Sequence, residues 1–414
     1  MRILLNACPL LLLVLASCGG GNSTEGDTDT DGDADTDTGG DATTEPDASA
    51  DPAEDAAPDA AVDVSPDGPV TGEYEGFGAV TGGHESCPDT PAEVHVTSLD
   101  DDGAGTLREA LSEGCRHVIF DVGGTIVLES TLNIRWSHIT VDGATAPDPG
   151  ITIEQPGDIG TTIEARSSTG AAHDIIINNL RMDGQAGSHV NRGDIWGLDG
   201  ESAPVYNVVI DHVTGIASTD GVFDFWEDVK DVTISWCLIV DTITALHLSS
   251  DDHSKTRERI SFHHNVFARN NERQIRIRHD NREVDFVNNV IYGWGWMEGG
   301  GYGLGIQLDP GENNPNLNVI ANVFHFVTGL HGGEDDAVEF VRGTDEGQVF
   351  FEGNIVPSGE GDLVSSGARI VIPSHALVTE LPASGLGTSV VPNVGTHFPT
   401  ADELALLAEI AAAL

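Results

Sequence analysis

The chain has 414 residues, a formal net charge of −50 at pH 7, 50 glycines, and Lys230 and Lys255 as its only lysines. So acidic a chain is not expected to bind nucleic acid non-specifically, because that affinity depends on cations that neutralise phosphates. High glycine and low lysine content favour a β-rich fold over a helical one. An anionic ligand would need a local cationic site.

The N-terminus begins with Met1-Arg2, and an apolar run then leads to Leu15-Ala16-Ser17-Cys18. This run is too short to span a bilayer comfortably and has the layout of a secretory signal. It resembles a bacterial lipoprotein signal, which implies that residues 1–18 hold the signal and that Cys18 becomes the lipidated mature N-terminus. An ordinary signal peptide cut near the same place is the alternative. We expect an exported protein, either an outer-membrane or cell-surface lipoprotein that meets the membrane only through its lipid, or a secreted one.

Residues 19–72 are rich in Asp, Glu, Thr, Ala, Gly and Pro and contain no Lys or Arg. Such a segment cannot bury enough apolar surface to fold, and its like charges repel one another. We predict a disordered acidic linker, followed by a folded domain over residues 73–360 and a C-terminal extension with a capping helix over residues 361–414.

The folded region contains Cys87, Cys115 and Cys237. Export makes a disulfide possible, and Cys87 and Cys115, both in polar surroundings rich in Gly or Pro, could pair. Cys237 lies in an apolar strand-like segment, which is typical of a buried core thiol.

A short helix is predicted at Gly105–Leu111, where Thr106 and Glu109 form a capping-box pattern. The same device recurs at Thr400 and Glu403 near the C-terminus. We interpret both helices as caps or packing helices that cover the adjoining fold.

From about Tyr74 onward an apolar alternation followed by Asn, His or Trp recurs every 24 to 33 residues or so, as in Ile260–Phe267 and Val284–Ile291. This is the period of a repeat solenoid, and its β-branched residues favour strands. Strand units without intervening helices must stack on their successors. The sequence therefore predicts an all-β, right-handed, single-stranded parallel β-helix. Four asparagines share one column of the repeat and are expected to form a ladder inside a turn: Asn265, Asn289, Asn322 and Asn354.

Similar offsets within four successive coils place acidic and basic residues on one face of the cylinder, within roughly 15 Å along its axis. They are Asp194, Asp220, Asp224, Arg273, Arg276 and Arg278. Strand alternation points Asp220, Asp224, Arg276 and Arg278 outward, whereas Arg273 has the opposite parity and must precede the strand or lie on a bulge. The acidic group suits calcium, although a solvated acidic face is an equal alternative. The arginines indicate an anionic ligand, against the alternative of surface ion pairs with Glu272 or Asp280.

Residues 74–357 resemble the pectate lyase superfamily, in particular polysaccharide lyase family 1. The resemblance is carried by Gly76–Gly83 and Val96–Leu111, and by central motifs that occur in the same order: Gly193-Asp194-Ile195, Ile210-Asp211-His212, Asp220-Gly221-Val222-Phe223-Asp224 and Val232-Thr233-Ile234-Ser235-Trp236. Several motifs in order are more specific than any one of them.

The resemblance implies that Asp194, Asp220 and Asp224 bind Ca²⁺, that Arg273 is the Brønsted base and that Arg278 grips a substrate carboxylate. Arg276 and His247 are further candidates for contact with the sugar. The implied enzyme is a monomeric, calcium-dependent lyase that cleaves α-1,4-linked galacturonan, an acidic polysaccharide, by β-elimination. Activity at alkaline pH is expected, because a free guanidinium loses its proton only above about pH 12.

Two departures from the family pattern weaken the assignment of substrate. Ile275 stands where the family has proline, and no lysine occurs near Thr244 or Ala245, where the family has a substrate-binding one. A lyase acting on another uronan, a non-catalytic carbohydrate-binding or adhesive β-helix, and a glycoside hydrolase with paired carboxylates therefore remain as alternatives.

Overall fold

Parallel strands dominate the computed structural model, which describes residues 74–154, 161–166, 170–184, 194–218, 220–250, 252, 254–271, 273–295, 305–309, 315–327, 341–342, 347–356 and 365–414. The strands are β1 Ala92–Val96, β2 Arg116–Phe120, β3 Gly124–Val127, β4 Leu132–Ile134, β5 Ile139–Asp142, β6 Ile151–Glu154, β7 Ile163–Arg166, β8 Ala172–Asn178, β9 Leu180–Asp183, β10 Trp196–Asp199, β11 Val205–Asp211, β12 Thr214–Ile216, β13 Gly221–Trp226, β14 Val229–Ser235, β15 Leu238–Val240, β16 Thr244–Ser249, β17 Arg257–His263, β18 Val266–Ala268, β19 Ile275–Ile277, β20 Asn281–Val287, β21 Val290–Tyr292, β22 Ile306–Leu308, β23 Asn316–Ile320, β24 Val323–His325, β25 Val341–Arg342 and β26 Gln348–Glu352.

Helices are few in the described part of the chain. The α-helices are α1 Leu107–Ala110, α2 Leu386–Ser389 and α3 Ala401–Ala413, and the 3₁₀ turns are Phe77–Val80, Gly83–Ser86, Gly143–Thr145, Ser374–Ala376, Ala383–Gly385 and Val391–Asn393. None of these helices is long and apolar enough to cross a membrane.

Each complete coil contributes one strand to each of three parallel sheets, and sheet 1 has one additional strand at each end, β1 and β26. Sheet 1 has ten strands in the order β1-β2-β5-β8-β11-β14-β17-β20-β23-β26, sheet 2 runs β3-β6-β9-β12-β15-β18-β21-β24, and sheet 3 runs β4-β7-β10-β13-β16-β19-β22-β25. From β5 onward, each strand therefore pairs with the strand three positions earlier in the chain, as stacking of successive coils requires. The predicted parallel β-helix is confirmed.

The interior is a stack of apolar side chains that repeat from coil to coil. One such row in sheet 1 joins register partners that are all buried: Ile177, Ile210, Ile234, Phe262, Phe286 and Val319. Apolar alternation in the sequence sends these side chains inward, and their contact with equivalent residues removes apolar surface from water.

The corner between sheets 1 and 2 repeats two structural features. One residue per coil adopts a positive φ of 51–56°, and these are Asn179, His212, Trp236, His264, Asn288 and Ala321. The asparagine ladder lies just inside this corner. Nδ2 of Asn265 donates to Oδ1 of Asn289, Asn289 donates to Asn322, and Asn322 donates to Asn354, at 2.9, 3.1 and 3.0 Å. The predicted ladder is confirmed.

The cysteine predictions are also confirmed. Cys87 and Cys115 form a disulfide, and Cys237 is a buried free thiol. Burial raises the pKa of the Cys237 thiol, so this residue behaves as a core side chain.

The N-terminal segment covers part of the outer face of sheet 1. The amide of Phe77 donates to Oγ of Ser261, and that of Gly78 donates to Oγ1 of Thr233. A Cβ at position 78 would lie 2.3 Å from the carbonyl oxygen of Val208, so only glycine permits this approach.

The C-terminal segment covers sheet 2. Leu406, Leu407 and Ile410 of α3 share an apolar cluster with residues of β15, β18, β21 and β24. Helix α3 is thus a packing helix along the side of the cylinder, with a complete capping box at Thr400 and Glu403.

Helix α1 packs on β1 and β2 at the N-terminal end. Only half of its predicted capping box forms. Thr106 accepts from the Glu109 amide, but the Glu109 carboxylate accepts from Gly105 instead of Thr106. The predicted lipidation site Cys18 and the linker 19–72 lie outside the described residues, and the domain boundaries remain predictions.

Candidate functional site

The outer face of sheet 3 carries a column of polar residues, one from each successive strand. Asp224 of β13 lies opposite His247 of β16, and His247 lies opposite Arg276 of β19. Parallel strands are about 4.8 Å apart, so the acid and the base on either side of His247 are separated by about 10 Å. The predicted stacking of acidic and basic residues is confirmed.

Asp194, Asp220 and Asp224 form an acidic cluster at the start of β10 and β13. Asp194 and Asp220 each precede a strand, while Asp224 lies in β13 between the fully buried Phe223 and Phe225. The amide of Thr244 donates to the carbonyl oxygen of Asp220 at 2.7 Å, which joins this turn to the next coil.

Gly221 permits the close approach of these carboxylates. A Cβ at position 221 would lie 2.4 Å from Oδ1 of Asp194. The Gly221 amide donates to the Asp194 carboxylate, which favours the charged form of that group. Gly221 thus contributes to the acidic cluster in two ways: it leaves room for the Asp194 carboxylate, and its amide donates a hydrogen bond to that group.

Burial and mutual repulsion make it unfavourable for all three carboxylates to be charged together. Desolvation first, and then the charges of Asp224 and Asp220, hold the pKa of Asp194 well above its ordinary value. Desolvation and Asp220 raise the pKa of Asp224 to about 6, although a hydrogen bond from Asp194 opposes this. Asp194 therefore holds the shared proton more tightly than Asp224 does.

The cluster fits a hard divalent cation. Oδ1 of Asp224 is buried and has no hydrogen-bond partner, so a buried acceptor is left for a ligand. Three neighbouring carboxylates supply the oxygen ligands that Ca²⁺ prefers, and a dication would offset the repulsion that raises their pKa values.

Arg273 comes from the same coil as Arg276 and acts electrostatically on both Asp224 and His247. It has a φ of 52° and precedes β19, as its parity predicted, and its carbonyl oxygen accepts from the Leu246 amide at 3.1 Å. Its positive charge lowers the pKa of both Asp224 and His247. This guanidinium therefore acts on both halves of the site.

Arg276 has a protein partner that the sequence did not suggest. Its Nε and Nη2 atoms lie 2.7 and 2.6 Å from Oδ2 of Asp309, whose Oδ1 accepts from Gln307 at 2.9 Å. The alternative of an ion pair is thus correct for Arg276, and the partner that the structure describes is Asp309. Glu272 lies outside the described residues. Arg276 is held in place on the face instead of being loose on it.

Arg278 continues the basic cluster one step further along the chain. Its amide donates to the carbonyl oxygen of Leu248 at 3.0 Å, and its side chain is half-buried. Ile275 and Ile277 point into the core, as predicted, so Arg276 and Arg278 share the outer face.

His247 is neutral at the centre of the column. Desolvation first, and then Arg276, Arg273 and Arg278, lower its pKa to about 3. Its Nε2 atom is buried and has no hydrogen-bond partner. A neutral imidazole here can donate one hydrogen bond and accept another.

The lysine that the family pattern places near residues 244 and 245 has no substitute there. The side chains of Thr244 and Ala245 are buried. The ammonium group of Lys255 donates to the backbone carbonyl oxygens of Gly200 and Glu201, which holds it against the turn that follows β10.

Several residues of this face were missed from the sequence. Glu164 precedes Gly197 and Asp224 in the column, and Trp226 lies in register with Asp199. The signal for Asp309 was available, since Ile306-Gln307-Leu308-Asp309 repeats the alternation of Ile275-Arg276-Ile277-Arg278 one coil later.

Comparison with curated proteins gives several relatives described as probable pectate lyase C, although no protein-family profile matches the chain. It is 30% identical over 302 residues to a probable pectate lyase C of Aspergillus flavus, which covers 72% of this chain and 63% of that protein. The probable pectate lyase C of Emericella nidulans is 30% identical over 297 residues, 70% of this chain and 60% of that protein. The chain thus spans about three fifths of the length of these relatives.

Solved structures show the same fold. The major allergen of cedar pollen aligns with a TM-score of 0.60 and 20% identity, over 78% of this chain and 92% of that one. A pectate lyase from Bacillus sp. N165, solved with trigalacturonate, aligns with a TM-score of 0.52 and 19% identity, over 78% and 98% of the two chains. At these identities the likeness concerns the β-helix alone.

Proposed function

With curated relatives that are probable pectate lyases over 302 aligned residues, we propose that this chain is a calcium-dependent polysaccharide lyase. Its substrate is α-1,4-linked galacturonan, which it cleaves by β-elimination. The observation that carries the proposal is the stacked column of Asp224, His247 and Arg276 on sheet 3, flanked by Arg273 and Arg278.

Asp194, Asp220 and Asp224 would hold the calcium ion. The unpartnered Oδ1 of Asp224 and the raised pKa values of Asp194 and Asp224 support this assignment. When bound, the ion neutralises uronate carboxylate charge that otherwise opposes formation of a carbanion.

Arg273 is the proposed Brønsted base. In the reaction the C5 proton passes to Arg273, the C5–H electron pair forms the C4–C5 double bond, and the C4–O bond breaks. The departing oxygen takes a proton from water. A guanidinium accepts a proton only after losing its own, so the reaction needs alkaline pH.

Arg278, Arg276 and His247 bind the substrate. Arg278 pairs with a uronate carboxylate, for which a guanidinium has matching geometry. Arg276 presents its charge in the orientation that Asp309 imposes. The neutral His247 offers a hydrogen bond without adding charge between the acidic and basic clusters.

A carbohydrate-binding β-helix without catalysis is the second candidate. It is favoured by the burial of Thr244 and Ala245, which leaves no lysine at the position where the family has one. Arg273 and the three aspartates favour the lyase, because sugar binding alone needs neither a base nor a calcium cluster.

We further propose that the protein is exported and monomeric, and that a lipid on Cys18 tethers it through the acidic linker 19–72. The Cys87–Cys115 disulfide supports an oxidising compartment. Mass spectrometry of the mature N-terminus tests for the lipid. An unmodified N-terminus beyond residue 18 would show that an ordinary signal peptide is cleaved instead.

The activity is tested with the full chain and polygalacturonate at neutral to alkaline pH, with calcium or with EGTA, by the ultraviolet absorbance of the unsaturated product. We expect calcium-dependent product that disappears in Arg273→Ala and persists in Arg282→Ala, an exposed arginine of sheet 1. If the wild-type chain binds polygalacturonate in the presence of calcium but forms no product, the non-catalytic carbohydrate-binding β-helix is favoured. If product forms only from another uronan, the proposed substrate is wrong but the proposed β-elimination reaction is correct.

A further inference from the structure

A cavity lies away from sheet 3, at the corner where sheet 1 turns into sheet 2. It has a volume of about 470 Å³ and is bounded by the N-terminal segment at Tyr74 and Glu75, by the corner, and by the C-terminal segment at Thr379 and Leu381. Three remote parts of the chain therefore meet around one space, which the proposed lyase reaction does not use.

Glu75, His263 and His264 converge beside this cavity. One ligand atom from each residue lies within 4.8 Å of the others. Two imidazoles and a carboxylate form the donor set of many zinc sites.

The tautomer of His263 is decided by its partners. Its Nε2 atom lies 3.3 Å from the backbone carbonyl oxygen of Glu75. A carbonyl can only accept, so Nε2 carries the hydrogen and Nδ1 of the neutral ring keeps its lone pair. Metal-binding histidines characteristically use one ring nitrogen for such a backbone carbonyl and the other for the metal.

The lone pair of His263 faces the second imidazole. The Nδ1 atoms of His263 and His264 are 2.9 Å apart. Without metal, Nδ1 of His264 therefore carries a hydrogen and donates it to Nδ1 of His263. A single ion bound to each nitrogen at about 2.0–2.1 Å can bridge the same distance once the His264 hydrogen moves to Nε2.

The orientation of His264 is fixed by its neighbours. Its ring stacks on Trp236, with ring centroids 4.5 Å apart and planes at 10°, and meets His263 edge-on at 89°. Its φ of 56° belongs to the corner that every coil repeats. The two rings are therefore held without a ligand.

Glu75 is fixed by the C-terminal segment. Its Oε2 atom accepts from the Thr379 amide at 2.9 Å, and its Oε1 atom accepts from the Thr379 hydroxyl. Carboxylates that bind metals are commonly held by hydrogen bonds of this kind.

We propose that Glu75, His263 and His264 form a binding site for Zn²⁺, with its open side toward the corner cavity. Imidazole nitrogens with one carboxylate suit zinc and other borderline metals, whereas the all-oxygen cluster on sheet 3 suits calcium. The two sites differ in donor chemistry and in position on the fold. Zinc would fasten the N-terminal segment, which follows the linker, to the corner and through Thr379 to the C-terminal segment.

The test measures Zn²⁺ retained by the full chain on equilibrium dialysis with excess Ca²⁺ present. We expect one Zn²⁺ per wild-type chain and none in the double variant His263→Gln/His264→Gln. The matched control is His173→Gln, which alters the other described histidine cluster, His138, His173 and Asp174. Loss of zinc in the control, or retention in the double variant, would overturn the assignment.

Thr379 gives a second test that leaves all three ligands in place. Loss of a group that orients a metal ligand usually weakens binding about 10–100-fold, so Thr379→Ala should lower zinc affinity to that extent and Thr379→Ser should restore it. X-ray absorption at the zinc edge of His173→Gln tests the site even if the double variant fails to fold, because this change leaves the other cluster with a single histidine. Two imidazoles and an oxygen in the first shell support the site, and a spectrum with fewer than two imidazoles excludes it.

Discussion

Nδ1 of His247 lies 3.8 Å from Oδ1 of Asp224, yet this histidine remains neutral. Burial and three arginines outweigh the neighbouring carboxylate, so the two residues do not form an ion pair at working pH. The charge of Asp224 is therefore left for a cation, and the predictions on calcium binding depend on this arrangement.

Calcium affinity should weaken as the pH falls through about 6, the pKa to which burial and Asp220 raise the Asp224 carboxyl. The ion must displace the proton that Asp194 and Asp224 share. Isothermal titration with Ca²⁺ between pH 5 and 8 checks this. Equal affinity across that range would contradict the raised pKa.

The same shift has the opposite effect on the metal-free chain. Between the ordinary carboxyl pKa of 3.8 and about 6, the folded state binds more protons at Asp224 than the unfolded state does. The free energy of unfolding should then fall as the pH rises through this window. Denaturant titrations in EGTA measure this change, and Asp224→Asn should lessen it.

Asp224→Asn should separate stability from function. Without metal the variant should be at least as stable as the wild type, because it removes a buried like charge from Asp194 and Asp220. It should lose most of the calcium-induced rise in Tm and the lyase activity. A metal-free variant clearly less stable than the wild type would show that the charged carboxylate supports the fold.

Arg276→Gln should raise KM about tenfold or more, since a hydrogen bond to a charged group contributes about 1.5–3 kcal/mol. If Asp309 positions Arg276, Asp309→Asn should also raise KM. The free-energy change calculated from KM of the double variant should then be smaller than the sum of the changes in the two single variants. Arg282→Gln is the control. Additive effects would mean that the two residues act separately.

Asn289→Ala should destabilise the fold by about 3 kcal/mol or more, because it leaves several buried groups unpaired. Its side chain bonds Asn265, Asn322 and the carbonyl oxygen of Phe262. Asn354→Ala, at the partly exposed end of the ladder, should cost less because water can replace its bonds. Equal losses in denaturant titrations would argue against a buried ladder.

Arg181→Met should cost about 3–5 kcal/mol, as expected when a buried ion pair loses one partner. Nε and Nη2 of Arg181 lie 2.8 Å from the two carboxylate oxygens of Glu403 in α3. Adding Glu403→Gln should recover part of the loss by removing the unpaired charge. If the double variant is no more stable than Arg181→Met, the loss of stability comes from the other hydrogen bonds of Arg181, with Thr152 and Phe398.

Much of the site followed from the sequence because strand geometry is local. Alternation alone placed Ile275 and Ile277 inside, Arg276 outside, and Arg273 either before the strand or on a bulge, and each of these expectations agrees with the structure. The departure at Ile275 did not disturb the strand, since isoleucine is a good β-former. The roles of these residues in catalysis remain predictions.

The partners of the charged residues could not be predicted in the same way. Arg276 meets Asp309 33 residues later, and Glu75 meets His263 188 residues away. Successive ladder residues are 24, 33 and 32 positions apart, so coil length varies and register cannot be counted along the chain.

The sequence by itself determined the parallel β-helix, its asparagine ladder and the face that carries the acidic and basic residues, because periodicity fixes which side of a strand each residue occupies. The tertiary structure decided which charges are paired, which carboxylates hold protons, and that Glu75 joins His263 and His264 at a cavity. These properties depend on burial and on contacts between remote segments, and neither is encoded in local spacing.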